Sequence, residues 1–300
     1  MWFRSGLRAA KRSAAFLVEQ LWSVGFRLAA LIHPRKVRRW SSPGGDRVLI
    51  VAPHPDDEAA GCAGTLFRHL ASGDEVILAI ATDGRQSKVN PDPHQVCRQR
   101  RSEAQHAARL LGIRRLEWIG LAEREWRVPT LVEKLSEAIR SHSPTIIYAP
   151  SRIDFHPEHR QVAHALALSL AGTTPEAPDA PRLRIYPIQV PLHDAVINLV
   201  TDVSAFHRQI DAVMGAYKSQ VGSLRRCNRP RRYSGKRHGI KGRAEVFWEV
   251  CAQTYVALHQ ESPDRWPDAF RGLRDFPLTD PLAYLRGFAE QRRLIAKATR

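Results

Sequence analysis

The chain has 300 residues, 43% of them hydrophobic, which is enough apolar content for one large core, alone or with an appendage. Its 20 prolines and 18 glycines are ordinary for that length and exclude disorder throughout. Its four cysteines (Cys62, Cys97, Cys227 and Cys251) include no CxxC pair, which excludes a cysteine-built zinc site and reads as reduced thiols in a cytosolic protein. The net charge of +16 fits an acidic partner such as an anionic membrane, a phosphorylated substrate or nucleic acid. It fits equally an arginine-rich composition spread over a solvated surface.

Residues 1–45 differ from the rest. At helical spacing Phe3, Leu7, Ala10, Ala14, Leu17, Leu21, Leu28 and Ile32 share one side, while Arg4, Arg8, Lys11, Arg12 and Glu19 take the other. Trp22 and Phe26 intrude on the polar side. Glu19 and Arg27 interrupt the apolar run, so neither a signal peptide nor a membrane span is expected. A basic amphipathic helix lying on an anionic membrane surface fits the pattern, with packing against the main domain or a second subunit as the alternative.

From residue 46 strands and helices alternate. Strands are predicted at 47–53, 75–82, 115–120, 145–150 and 184–190. Helices are predicted at 57–72, 98–112, 130–142 and from about His159. Continuous apolar strands between helices indicate an α/β fold of Rossmann-like type, with a mostly parallel sheet covered on both faces. Residues 227–243 read as a basic, glycine-containing loop, and 262–281, with four prolines, as a meandering tail before a last short helix. The expected division is a helix over 1–45, a catalytic domain over 46–256 and an extension over 257–300.

The chemistry sits at two strand exits. "APHPDDEAAGCAGTL" (52–66) follows the first strand, and "SRIDFHPEHRQ" (151–161) follows the fourth. One aspartate would cap the first helix; a histidine and three carboxylates within five residues exceed that need. In a parallel sheet both segments emerge at one edge, bringing together two or three histidines and several carboxylates. A divalent cation offsets their mutual repulsion, and mixed imidazole and carboxylate donors suit zinc.

The two motifs resemble those of the LmbE-like, or PIG-L, family of N-acetylglucosaminyl de-N-acetylases. "ATDGRQS" (81–87), "RRSEAQHAARLLGI" (100–113), "AYKSQ" (216–220) and "GRAEVFWEV" (242–250) are further matches, and the resemblance runs from about 46 to 256. It implies a zinc-dependent hydrolase, with Fe2+ as an alternative ion, that removes an N-acetyl group from an amino-sugar conjugate, a lipid-linked one among the candidates. It implies His54, Asp57 and His159 as metal ligands, Asp56 as general base and His156 as a protonated partner to the oxyanion or leaving amine. Glu58 and Glu158 are expected to orient histidines from behind. Arg100 and Glu123 are the expected substrate contacts, an ion pair being the alternative for Arg100. Two departures stand out: Glu158 where the family usually has aspartate, and Glu123 in "GLAERE" where it often has aspartate. The expected location is the cytoplasm, peripheral at the inner face of the membrane, and nucleic acid is not the expected partner. The rival readings are an amidase for another N-acyl group and a non-catalytic basic binding protein.

Overall fold

The computed structural model describes residues 37–259, apart from 88, 155, 174–176, 221–223 and 225–226, together with positions scattered between 20 and 32. Most of the predicted N-terminal helix and almost all of the C-terminal extension lie outside the described residues. The described strands are β1 (Arg38–Arg39), β2 (Arg47–Ala52), β3 (Glu75–Thr82), β4 (Arg115–Leu121), β5 (Ile146–Pro150), β6 (Arg182–Tyr186), β7 (Leu199–Asp202) and β8 (Ala244–Cys251). They form a sheet in the order β1-β7-β8-β6-β5-β2-β3-β4. The five strands from β6 to β4 run parallel, and β8 runs antiparallel to both β6 and β7.

The helices are α1 (Asp57–Gly61), α2 (Ala63–Ala71), α3 (Pro93–Leu111), α4 (Val128–His142), α5 (Pro157–Ala171), α6 (His207–Ala216), α7 (Asn228–Arg237) and α8 (Ala252–Leu258). They cover both faces because successive strand residues point to opposite sides. Val48 and Ile50 of β2 pack with α1, α2, α3 and α6, whereas Leu49 and Val51 pack with α4, α5 and α8. Among the described residues no helix is long and apolar enough to cross a membrane.

The structure departs from the sequence reading in three places. The helix expected over 57–72 breaks at Cys62, where α1 ends and α2 begins. Close contact needs small residues here: a Cβ on Gly61 would meet the Tyr186 ring at 2.2 Å, and one on Gly64 would meet Val203 at 2.5 Å. The basic segment expected to be a loop contains α7. Strands β7 and β8 are additional to those expected, as is β1, which falls inside the segment 1–45 expected to be helical.

One buried ion pair explains α7 and β8 together. Arg231 of α7 and Glu245 of β8 are each 3% exposed, with Arg231 Nε 2.8 Å from Glu245 Oε1. The Glu245 carboxylate accepts from the backbone N–H groups of Gly64 and Thr65, the orphan donors at the start of α2. Arg231 Nη2 donates to the carbonyls of Ala59 and Ala60 in α1. The pair therefore clamps both sides of the helix break directly behind residues 54–58.

A second buried polar column ties α2 to the sheet. His69 Nδ1–H donates to Asp74 at 2.6 Å, Tyr148 O–H donates to His69 Nε2 at 2.9 Å, and Arg184 Nη1 donates to the Tyr148 oxygen at 2.7 Å. Arg184 Nε reaches Glu249 at 2.8 Å, and the Trp40 ring lies over the guanidinium. Burial, only partly opposed by Asp74, holds His69 neutral with its pKa down at about 4.

Two outcomes follow. Removing Arg231 strands a buried carboxylate, so Arg231→Met should lower unfolding free energy by about 3–5 kcal/mol, and adding Glu245→Gln should recover part of that loss in denaturant titrations. The unfolded chain binds a proton at His69 below about pH 6.5 that the folded chain refuses until about pH 4. Stability from this site is therefore full above pH 6.5 and is lost as pH falls toward 4. Between pH 7 and 4.5 the parent should lose roughly 2–3 kcal/mol more stability than His69→Gln.

Candidate metal and catalytic centre

The chain order of the sheet reverses at β2: β3 and β4 lie on one side of it, β5 and β6 on the other. β2 and β5 are hydrogen-bonded neighbours in parallel, with Val48 opposite Ile146. Their C-terminal ends open a crevice at the switch point, where ligands bind in open α/β sheets. β2 delivers Pro53 to Asp56 into that crevice and then α1. β5 delivers residues 151–156 and then α5, whose first residue, Pro157, fits the first helical position. Asp56 stands at the N-cap position of α1 without a capping side-chain hydrogen bond, its φ at 133° a strained backbone for a residue other than glycine.

Three donor atoms converge there. His54 Nδ1 lies 3.1 Å from His159 Nε2 and 3.3 Å from Asp57 Oδ2, and His159 Nε2 lies 3.4 Å from the same oxygen. A tetrahedral zinc with bonds of about 2.0–2.1 Å separates its ligands by about 3.3–3.4 Å, so the triangle has the size of one face of that polyhedron. His54, Asp57 and His159 are all buried. The surrounding carboxylates call for positive charge at this point: burial works against protonation of both imidazoles, yet Asp57 and Glu158 push His54 up to about 10, and Asp154 and Asp57 raise His159. Two imidazole nitrogens facing each other at 3.1 Å are better held by a cation between their lone pairs than by two protons. The donor set therefore fits the ion implied by the sequence. Donor atoms of His54, His156 and His159 also lie within 4.8 Å of one another, as do those of His54, Glu123, His156 and Glu158. In the second grouping Glu158 and Glu123 lie 2.8 Å and 3.9 Å from His54 Nε2.

Outer partners fix the two rings. His54 Nε2–H donates to Glu158 Oε2 at 2.8 Å, which turns Nδ1 toward the triangle. Glu158 also accepts from Trp126 Nε1 and the Arg124 backbone, both at 2.7 Å, which holds its longer side chain in place. His159 Nδ1 sits 3.0 Å from Asp154 Oδ1, close enough for ion pairing though poorly aligned for a hydrogen bond. Asp154 is a site residue that the sequence reading lacks. Its signal is an aspartate two residues before His156 in a strand-exit loop, where it also accepts from the His156 and Gln189 backbones. Glu58 departs from expectation. It orients no histidine; it accepts from Tyr217 O–H and the Asp56 backbone, and burial raises its pKa to about 7.

Asp56 points at the cavity beside the triangle. Burial raises its pKa to about 6 against the pull of Arg100, whose Nη2 lies 3.3 Å from Asp56 Oδ1. Arg100 is 3% exposed and donates to the Pro55 carbonyl, while its Nε and Nη1 are buried without partners. Gly84, with φ at 67°, leaves room for that guanidinium, since a Cβ there would meet Arg100 Nε at 2.8 Å. His156 packs edge-on against His54 with ring centroids 4.7 Å apart, and its buried Nδ1 has no partner. Burial first, then the facing charges of His159 and His54, bring its pKa down to about 3, which works against the protonated form expected of it as partner to the oxyanion or leaving amine. All these groups border a cavity of about 270 Å³ whose far wall includes Gln86, Glu123, Arg124, Gln189 and Gln220. Glu123 accepts from the Gln86 backbone at 2.8 Å and reaches within 3.9 Å of His54 Nε2.

Comparison with known proteins agrees with this geometry. The family model described as PIG-L: GlcNAc-PI de-N-acetylase matches residues 49–169, a span that holds both motifs. The diacetylchitobiose deacetylase of Thermococcus kodakarensis is 29% identical over 134 residues, 42% of this chain and 50% of the relative, so the chain spans about half the length of that protein. The structure of N,N'-diacetylchitobiose deacetylase from Pyrococcus horikoshii superposes with a TM-score of 0.62 at 21% identity, over 70% of this chain and 85% of that one, a likeness of fold. The conserved protein TT1542 of Thermus thermophilus is 30% identical over 68% of this chain and 94% of its own, with a TM-score of 0.58. Two histidine–carboxylate motifs at one switch point, inside the matched span, together with thirty per cent identity over nearly all of the Thermus protein, make this chain a member of the PIG-L (LmbE-like) family.

Proposed function

We propose that this protein is a zinc-dependent hydrolase that removes the N-acetyl group from an N-acetylglucosamine-type conjugate. The observation that carries the reading is the triangle of His54, Asp57 and His159 donors with Asp56 beside it on an open cavity. The matched family description and the Thermococcus relative both name removal of acetyl groups from amino sugars.

His54, Asp57 and His159 would hold the ion beside the cavity. When bound, the ion polarises the amide carbonyl and brings a water molecule's pKa toward neutrality. Asp56 accepts the proton of the water that attacks the carbonyl carbon, and Arg100 keeps that carboxylate aimed at the cavity. His156 donates an N–H to the carbonyl oxygen as negative charge develops there. The C–N bond then breaks; the proton held at Asp56 passes to the departing nitrogen, and acetate and a free amine result. Gln86, Glu123, Gln189 and Gln220 supply amide and carboxylate groups suited to sugar hydroxyls. The rival amidase reading shares this machinery and differs only in the acyl group released.

Purified protein loaded with zinc should release acetate, and no longer acid, from N-acetylglucosamine conjugates, as read by mass spectrometry of both products. Absence of turnover across a panel of such conjugates by zinc- and iron-loaded protein would remove the proposal. His159→Ala should lose most bound metal in elemental analysis, since two protein ligands remain. Asp56→Asn should keep its zinc while kcat falls by about 100-fold or more. Loss of metal in step with activity would instead make Asp56 a ligand.

A further inference from the structure

Exposed large apolar side chains are unevenly distributed among the described residues. Leu21, Val24, Leu28, Leu31 and Ile32 all belong to the helical positions between 20 and 32 and are 50–78% exposed; the others, Val89, Leu110 and Leu168, are scattered singly over the catalytic body. Spacings of three, four, three and one put the five on one stripe of about 100°. Single exposed leucines are normal on a soluble protein, but a continuous stripe of five is a contact surface.

The charge around the stripe selects what it contacts. Residues 1–39 contain nine lysines and arginines (Arg4, Arg8, Lys11, Arg12, Arg27, Arg35, Lys36, Arg38 and Arg39) against one acid, Glu19. Arg38 pairs with Glu249; Arg39 donates to the backbone carbonyls of His238 and Gly239. Residues 260–300 carry no net negative charge to complement that excess, with eight basic and six acidic residues. A second copy would face this segment with the same positive excess. An anionic lipid surface offers both an apolar layer and negative headgroups, the combination that holds basic amphipathic helices in the interface. The docked stripe would lie close to the catalytic body, because β1 joins the sheet at Arg38, six residues after Ile32.

We infer that the stripe of Leu21, Val24, Leu28, Leu31 and Ile32 docks this protein peripherally on an anionic lipid surface. The inference stands apart from the hydrolase reading, because its test measures lipid binding and not turnover. The whole chain is sedimented at low salt with vesicles of phosphatidylcholine alone and with vesicles of equal parts phosphatidylcholine and phosphatidylglycerol. Retention is expected on the anionic vesicles only. It should weaken as salt is raised, fall about tenfold in Leu28→Glu/Leu31→Glu, and persist in Leu168→Glu, which adds negative charge elsewhere on the surface. If the double glutamate variant is insoluble, Leu28→Gln/Leu31→Gln takes its place. No retention of the parent, equal retention on both vesicle types, or full retention of the double variant overturns the inference. A dimeric mass in solution that the double variant halves also overturns it, since the stripe would then cover a second copy of itself.

Discussion

The pairing of β2 with β5 is the constraint on which the site depends. They are far apart in sequence yet adjacent and parallel, so their loops leave the sheet from one edge, and neither loop carries three well-placed donors alone. The segment after β2 brings His54, Asp56 and Asp57; the segment after β5 brings Asp154, His156, Glu158 and His159. The register that places Ile50 opposite Tyr148 also sets the distance between His54 and His159. A slip of that register would shift the sheet's buried face and open the donor triangle together.

The cost of gathering so many ionisable groups is met by giving each a different environment. Asp57, despite burial, is drawn down to about 2 by His159 and His54, and Glu158 to about 2 by its bond to His54. Asp56 and Glu58 are pushed up to about 6 and about 7, chiefly by burial. These four neighbouring carboxylates are thus drawn apart, two downward and two upward. Divergent pKa values among neighbouring acids are how acid and base roles are divided within one site.

The sequence displayed most of this because its signals were local. The parallel strands are continuous apolar runs, and both motifs sit where such a run stops, so fold class and the meeting of His54 with His159 were readable. What escaped reading depends on partners distant in the chain. β8 has Glu245 and Glu249 among its apolar residues, and only their pairing with Arg231 and Arg184 makes those charges tolerable in a sheet. The segment 228–237 has proline, glycine and a run of basic residues, which reads as a loop until Arg231 is seen to be buried. The break at Cys62 is set by the Tyr186 ring and Val203, which no helical pattern in residues 57–72 reveals. Glu58 sits among motif residues that resemble histidine partners, but Tyr217, 159 positions away, claims it.

The clamp behind the site also bears on the order in which the molecule is made. A chain leaving the ribosome has residues 54–58 in hand before β5 follows. Arg231 on α7 and Glu245 on β8 come later still, and β8 must slot between β6 and β7 rather than add to an edge. Insertions of that kind rely on contacts of long sequence separation and are slow. Until β8 is in place the first turn of α2 lacks the Glu245 acceptor for its free N–H groups, and until α7 is in place α1 lacks the Arg231 donor on its last carbonyls. The segment 54–58 is therefore unsupported until α7 and β8 are placed, and its geometry is a property of the finished sheet, not of the segment alone.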